Sequence, residues 1–278
     1  MSTSIWKLRL GKGLLYAFLI LVAVICIVPF YSMIVTSTHS NSDIARTLPL
    51  WIGEEFSNNY GRLMEAVNIW RGFLNSVIIA VSSTALGVYF SALAGYGFAK
   101  FRFKGSKWLF MFVLGTMMIP GQLGIIGFFR LISGMDLLNT YWPLILPSIA
   151  NAFGIFFLKQ YVDGAVPNEI IESGRVDGCR ELKMFHRLIF PIMMPGIATL
   201  AIFIFIGKWN SFLEPMIILF ENHLQPLPVM IAGVKTQFNT DYGAQYVGIL
   251  ISVLPILVFF SLASKKVISG VAAGAVKE

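Results

Sequence analysis

The residues with the strongest chemical character sit in one polar stretch, Pro167 to Pro195, reading PNEIIESGRVDGCRELKMFHRLIFPIMMP. Its centre is Glu172-Ser173-Gly174 followed by Asp177-Gly178. Charged groups beside small side chains suit docking: the charges fix a register, and the small residues let a partner backbone come close. Catalysis needs other ingredients. His39, His186 and His223 are far apart, and neither C-x-x-C nor H-E-x-x-H occurs, so no metal site is expected. Cys26 lies in an apolar run and Cys179 in the polar stretch, so a disulfide between them is not expected. No nucleophile with a base stands at membrane depth, and there is no GxxxxGK[ST] phosphate loop. The chain reads as non-catalytic, with no cofactor of its own.

The elements that hold this stretch are apolar. The chain has 278 residues, 56% hydrophobic and 13% charged, where soluble domains carry about 25% charged residues. Mean hydropathy is +0.75. Recurrent apolar runs of membrane-crossing length point to an all-α, polytopic membrane protein with six transmembrane helices. The net charge of +7 would suggest nucleic acid in a soluble protein. Here it fits basic loops on the cytoplasmic side, with membrane lipid as the surroundings and no nucleic-acid partner.

The expected spans are about 14–35, 73–99, 108–129, 141–157, 192–213 and 245–263, in a single transmembrane domain over 1–278 with a cytoplasmic loop at 159–191. The first follows Lys7, Arg9 and Lys12, but is longer than a secretory apolar region and lacks a cleavage site, so it reads as an uncleaved span. The second is rich in Ser, Ala and Gly, which allow close helix approach in lipid. The third meets Pro120-Gly121-Gln122; it is either broken there, as helices beside a transport pathway are, or ends there with a short surface helix following. Residues 36–71 and 214–244 read as external loops. Most Lys and Arg fall in the opposite set of loops, among them Lys100-Phe-Arg-Phe-Lys-Gly-Ser-Lys107 and Lys265-Lys266, placing both termini and the polar stretch in the cytoplasm.

Within the polar stretch, Pro167 suits a first helical turn, with Glu169 and Glu172 near the positive end of the helix dipole. Asp177 is expected to cap a second helix starting at Gly178, with Leu182, Phe185 and Ile189 on its apolar face. Glu172, Arg175 and Asp177 would set the docking register. Two readings stand: a rigid knob transmitting force, or a solvated connector with ordinary caps. Elsewhere, Lys208 with Trp209-Asn210 near the outer end of the fifth span either lines a pathway or snorkels toward Glu214. Asn75, Gln122, Asn151 and Asn210 are candidate polar liners of a pathway, or else hydrogen-bonding glue between helices.

The pattern Glu172-Ser173-Gly174-x-x-Asp177-Gly178, then Phe185, then Ile189-x-Pro191 and Pro195, resembles the EAA loop of ABC importer permeases. Ser173 and Gly174 replace the alanines, and Cys179 replaces the small residue after Asp-Gly. Asn59-Tyr60, Asn75-Ser76, Trp209-Asn210 and the tail from Ser269-Gly270 to Gly274-Ala275-Val276-Lys277 are similar to the carbohydrate-uptake, maltose-permease branch, although Glu278 stands where glycine is common.

The resemblance implies a type I ABC importer permease fold in a bacterial or archaeal cell membrane. It implies a homologous second permease subunit, two ATPase subunits that bind ATP and Mg, an extracytoplasmic sugar-binding protein and a carbohydrate substrate. Glu172, Ser173, Gly174, Asp177, Gly178 and Phe185 would couple to an ATPase, and Gly270, Gly274 and Lys277 would lie along its interface. The competing readings are the same machine carrying a non-sugar solute, and a channel, which would form a ring of identical subunits.

Overall fold

The computed structural model describes the backbone of residues 2–234 and 240–275, and side chains within 11–234, 240–258 and 260–261. From the N-terminus, α1 (Ser2–Thr36) is followed by α2 (Asn41–Arg46), α3 (Phe56–Ala66) and α4 (Ile69–Lys100). Next come α5 (Ser106–Met117), α6 (Ile125–Gly134), α7 (Trp142–Ile145) and α8 (Ala152–Ala165). The polar stretch carries α9 (Asn168–Val176), α10 (Glu181–Met184), a π-helical turn Phe185–Ile189 and the single turn α11 (Phe190–Ile192). Then α12 (Met194–Trp209), α13 (Leu213–Ile218), α14 (Leu227–Ala232) and α15 (Tyr242–Ala275) complete the order.

Among the described residues, three helical stretches are long and apolar enough to cross a membrane: Gly11–Thr36, Ile69–Lys100 and Trp142–Ala165. Two bent pairs raise this to five if each is one span: Ser106–Met117 with Gly121–Gly134, bent by 88°, and Glu181–Ile192 with Met194–Trp209, bent by 80°. Tyr242–Val258 is a shorter apolar helix. The breaks have local causes. Pro120 supplies no N–H, and a 3-10 turn at Gly121–Gly124 re-aims the chain, so α5 ends there and α6 leaves at a sharp angle, as both a broken span and a surface helix after its end require. Pro191 and Pro195 flank the second bend.

Two regions expected to be plain loops contain helices. Residues 36–71 hold α2 and α3, and residues 214–244 hold α13 and α14. Ser40 caps α2 by accepting from the Asp43 N–H, and α3 buries Asn59 and Leu63, so local polar sequence hides an inward face.

The chain divides into two compact units, Met1–Ile69 with Ile231–Val253, and Trp70–Met230 with Leu254–Glu278. The first is closed by a polar clasp. Arg62 Nε donates to Asp241 Oδ2 at 2.7 Å, Asn41 Nδ2 donates to Asp241 Oδ1 at 3.1 Å, and the Ala244 N–H adds a third donor. Fully buried Asn59 donates to the Ser37 and His39 carbonyls and accepts from Arg62. Burial pushes the Asp241 carboxyl up, but the hydrogen bonds from Arg62, Ala244 and Asn41 outweigh it and hold the group below the usual carboxylate range.

In the second unit, α4 lies against α8 at van der Waals distance. A Cβ on Gly95 would stand 2.9 Å from the Lys159 backbone N and 3.0 Å from the Leu158 carbonyl carbon. Gly154 faces Ser91 in the same contact, so small residues on each helix receive the other. The core continues from these helices into the polar stretch: Val88, Ala92, Tyr96, Leu158, Val162 and Leu200 share one cluster with Ile171, Met184, Phe185, Ile189 and Met193.

Gly95→Ala is therefore expected to overpack a backbone that cannot rotate away, costing about 1–3 kcal/mol. Gly97→Ala, with nothing within 4 Å, is expected to leave the thermal midpoint of the detergent-solubilised protein unchanged or slightly raised. Equal midpoints for the two variants would contradict the packing.

Candidate functional site

The polar segment is built as a helix, a sharp turn and a second helix. In α9, Glu169 sits in the first turn and Arg175 in the last, each complementing the helix dipole. Pro167 occupies the N-cap rather than the first turn. The helix ends because Gly178 takes a left-handed φ of +71°, which lets the Cys179 N–H return to the Gly174 carbonyl at 2.9 Å. Asp177 is thus the C-cap of α9 and does not start the second helix; extended Arg180 does, and α10 begins at Glu181.

This geometry sorts the expected coupling residues into two groups. Glu172, Ser173, Asp177 and Gly178 are exposed. Gly174 and Phe185 are buried within the chain. A Cβ on Gly174 would meet Met184 Sδ at 3.0 Å, so its smallness seats α9 on α10 rather than admitting a partner. Phe185 stacks on Tyr96 of α4 at 5.7 Å between centroids. Arg175 is also committed internally, donating to Glu181 Oε1 at 2.7 Å and lying over the Phe101 ring, so it does not supply a free docking charge. Its hydrogen bond to Glu181 raises its pKa further, keeping it charged. Leu182, expected on the apolar inner face, is 64% exposed, because the turn rotates α10. Sequence reasoning missed Val176, which is 87% exposed at the tip between Glu172 and Asp177. An exposed branched apolar side chain at the end of a polar helix was the available signal.

One face of α4 holds the segment. Tyr89, Tyr96 and Lys100, spaced seven and four apart, share that face. Lys100 Nζ donates to the Val166 carbonyl at 2.6 Å and to Asn168 Oδ1 at 2.9 Å, bracing the entry to α9. His186 Nδ1 lies 2.7 Å from the Leu182 carbonyl, so this nitrogen carries the proton, and Nε2 accepts from the Tyr89 hydroxyl at 3.1 Å. The π-helical turn Phe185–Ile189 includes His186.

A second feature is a cavity of about 510 Å³, lined by Gln122, Phe128, Lys208, Ser211, Phe212 and Glu214 among others. An adjoining space of about 340 Å³ adds Ser148, Asn151 and Phe203 and shares Lys208, Ser211 and Glu214. Lys208 Nζ stands 3.4 Å from Glu214 Oε2, so the lysine enters the cavity as half of an ion pair. The structure therefore brings Gln122, Asn151 and Lys208 together. It separates Asn75 and Asn210 from them. Asn75 is fully buried and donates to the His223 and Gln225 carbonyls, making it structural. Asn210 is the exposed C-cap of α12. Asn151 also caps α8, accepting from the Gly154 N–H at 2.8 Å. In the tail, Gly270 and Gly274 belong to α15, and Lys277 lies outside the described residues. Among the described residues no group of acidic, His or Cys side chains could hold a metal.

Residues 87–265 match the family described as binding-protein-dependent transport system inner membrane component. The chain belongs to this family. It is a multi-pass membrane protein and a transport permease. The permease is 31% identical over 276 residues to the arabinooligosaccharides transport system permease protein AraQ of Halalkalibacterium halodurans, covering 98% of this chain and 96% of the relative. It is 33% identical over 255 residues to the lactose transport system permease protein LacG of Rhizobium radiobacter, covering 91% and 93%. Its fold is similar to a chain in the crystal structure of a bacterial ABC transporter involved in import of the acidic polysaccharide alginate. The TM-score there is 0.79 at 20% identity, covering 92% of this permease and 96% of that chain.

The bracing of α9 by α4 yields an expectation. Lys100→Met removes the brace at the entry to α9, a hydrogen bond worth about 1 kcal/mol, so amide exchange over 168–178 should rise roughly fivefold in deuterium-exchange mass spectrometry. Exchange in α12 should not change. Unaltered exchange over 168–178 would contradict the role of the bond.

Proposed function

We propose that this chain is the transmembrane permease subunit of an ATP-driven carbohydrate importer, and that the polar segment is its mechanical coupling element. On this reading the six spans are those expected from the sequence, with both termini and residues 159–191 cytoplasmic. The chain pairs with a homologous permease subunit to form the pathway. Two ATPase subunits dock from the cytoplasm and supply all the ATP and Mg chemistry, and an extracytoplasmic binding protein delivers the sugar. The permease itself catalyses nothing.

The observation that carries this reading is the construction of the polar segment. It presents Glu172, Ser173, Val176, Asp177 and Gly178 outward, while Met184, Phe185 and Ile189 are fully buried in the core shared with α4, α8 and α12. Displacing the exposed tip must therefore displace the spans. Val176 serves as the apolar anchor, with Glu172 and Asp177 setting the register beside it. Gly174 and Phe185 act as braces behind the surface.

The cavity favours a neutral, hydroxyl-rich solute over an oxyanion. Its lysine is already paired with Glu214, and Gln122, Ser211 and Asn151 offer neutral donors and acceptors beside aromatic rings. The arabinooligosaccharides and lactose named for two relatives point the same way.

The test is uptake by the assembled transporter in vesicles loaded with MgATP. Val176→Asp and Glu172→Lys, each on a surface where a docking residue costs about 2 kcal/mol or more, should lower sugar uptake at least about tenfold. Membrane insertion should stay normal. Undiminished uptake in both variants, or uptake without any ATPase subunit, would overturn the proposal.

A further inference from the structure

The loop between α4 and α5 and the adjoining part of α8 border an open cavity of about 520 Å³, which meets the polar segment at the Phe101 ring under Arg175. Its lining includes Arg102, Lys107 and Lys159, with Phe98, Phe110 and Trp108 between them. Lys159 is half-buried, lies 5.2 Å above the Phe110 ring, and is paired with Asp163 at 2.5 Å. Arg102, Lys107 and neighbouring Lys104 have no carboxylate partner among the described residues. The cavity therefore carries uncompensated positive charge. Its mouth opens beside the start of α5, whose first turn has no side chain capping it and so adds free N–H groups.

The surroundings decide which anion fits. Trp108 is 77% exposed and Phe112, one turn further on, is 70% exposed. Leu109 and Met111 are exposed on the same helix. Cationic groups at the end of an apolar helix, a tryptophan at the boundary and a bare apolar surface beyond it match a ligand with an anionic head and hydrocarbon tails.

We propose that this cavity binds the phosphate headgroup of an anionic phospholipid, with Arg102 and Lys107 pairing its charge and the acyl chains lying along α5 past Trp108 and Phe112. Lys159, held by Phe110 and Asp163, forms the floor of the site. The site rests on the membrane-spanning arrangement of the proposed function, which places this loop at the cytoplasmic leaflet, where anionic lipids attract basic groups.

The test uses the assembled transporter purified in neutral detergent and titrated in native mass spectrometry with phosphatidylglycerol or phosphatidylcholine of matched chains. Each unpaired cation near a membrane surface contributes about 1 kcal/mol, so with Arg102 and Lys107 phosphatidylglycerol is expected to bind roughly thirtyfold more tightly. Arg102→Gln with Lys107→Gln should remove most of that preference while leaving phosphatidylcholine binding and subunit composition unchanged. If the double variant does not assemble, Lys107→Gln alone should reduce the preference about fivefold. Equal binding of the two lipids to the wild-type complex, or a preference that survives the substitutions, would overturn the proposal. Displacement of the lipid by an equal concentration of glycerol phosphate would reassign the site to a soluble phosphate. A crosslink from Lys107 to a partner subunit in place of lipid would make it a protein contact. Failure of an ATPase to co-elute would count against the importer and not against the lipid preference, which is still read on the chain that elutes.

Discussion

The burial of Phe185 is the contact on which the rest depends. Its ring stacks on Tyr96 of α4, meets Phe190 edge-on, and sits with Met184 and Ile189 at zero exposure. A polar loop outside the membrane would ordinarily move independently of the helices it joins. Here its inner face is an extension of their core, and protein cores are dense enough to pass displacement on rather than absorb it. Gly174 completes the arrangement by letting α9 settle onto Met184.

Charge plays two separate roles around this core. Arg175, Glu181, Lys100 and His186 are used internally, fastening the segment to itself or to α4 and its neighbours. Glu172 and Asp177 stay on the outside with Val176. The segment thus presents outward a small surface with an apolar centre and acidic margins, backed by a frame whose own polar groups are already occupied. The Lys208–Glu214 pair follows the same economy in the cavity: the lysine is solvated by a carboxylate, beside the neutral groups of Gln122 and Ser211.

The sequence made some of this visible because the cause is local. Pro120 and the Pro191/Pro195 pair announce the bends, apolar runs announce the spans, and Lys208 and Glu214 are close enough along the chain for their pairing to be anticipated. What stayed hidden depends on distant partners. The sides of α9 could not be assigned until Met184 was placed against Gly174. Asn75 looked like a pathway liner, yet its amide nitrogen is held by carbonyls about 150 positions away. The Arg62–Asp241 clasp links residues 179 apart, and α2 and α3 fold in a polar stretch because buried Asn59 and Leu63 give them an inward side. Gly178 was legible as a special position, but its left-handed φ ends one helix rather than beginning the next.

The central claim is that the polar segment moves with the spans as one rigid piece. Spin labels at Ser173 and Phe203, both exposed and both in the same compact unit, allow this to be measured by pulsed electron–electron resonance in the assembled transporter, with and without MgATP. The expected result is a distance preserved within about 2 Å across the two conditions. A shift of roughly 5 Å or more, the size of a helical-turn displacement, would mean that the segment slides against α12 and does not drive it.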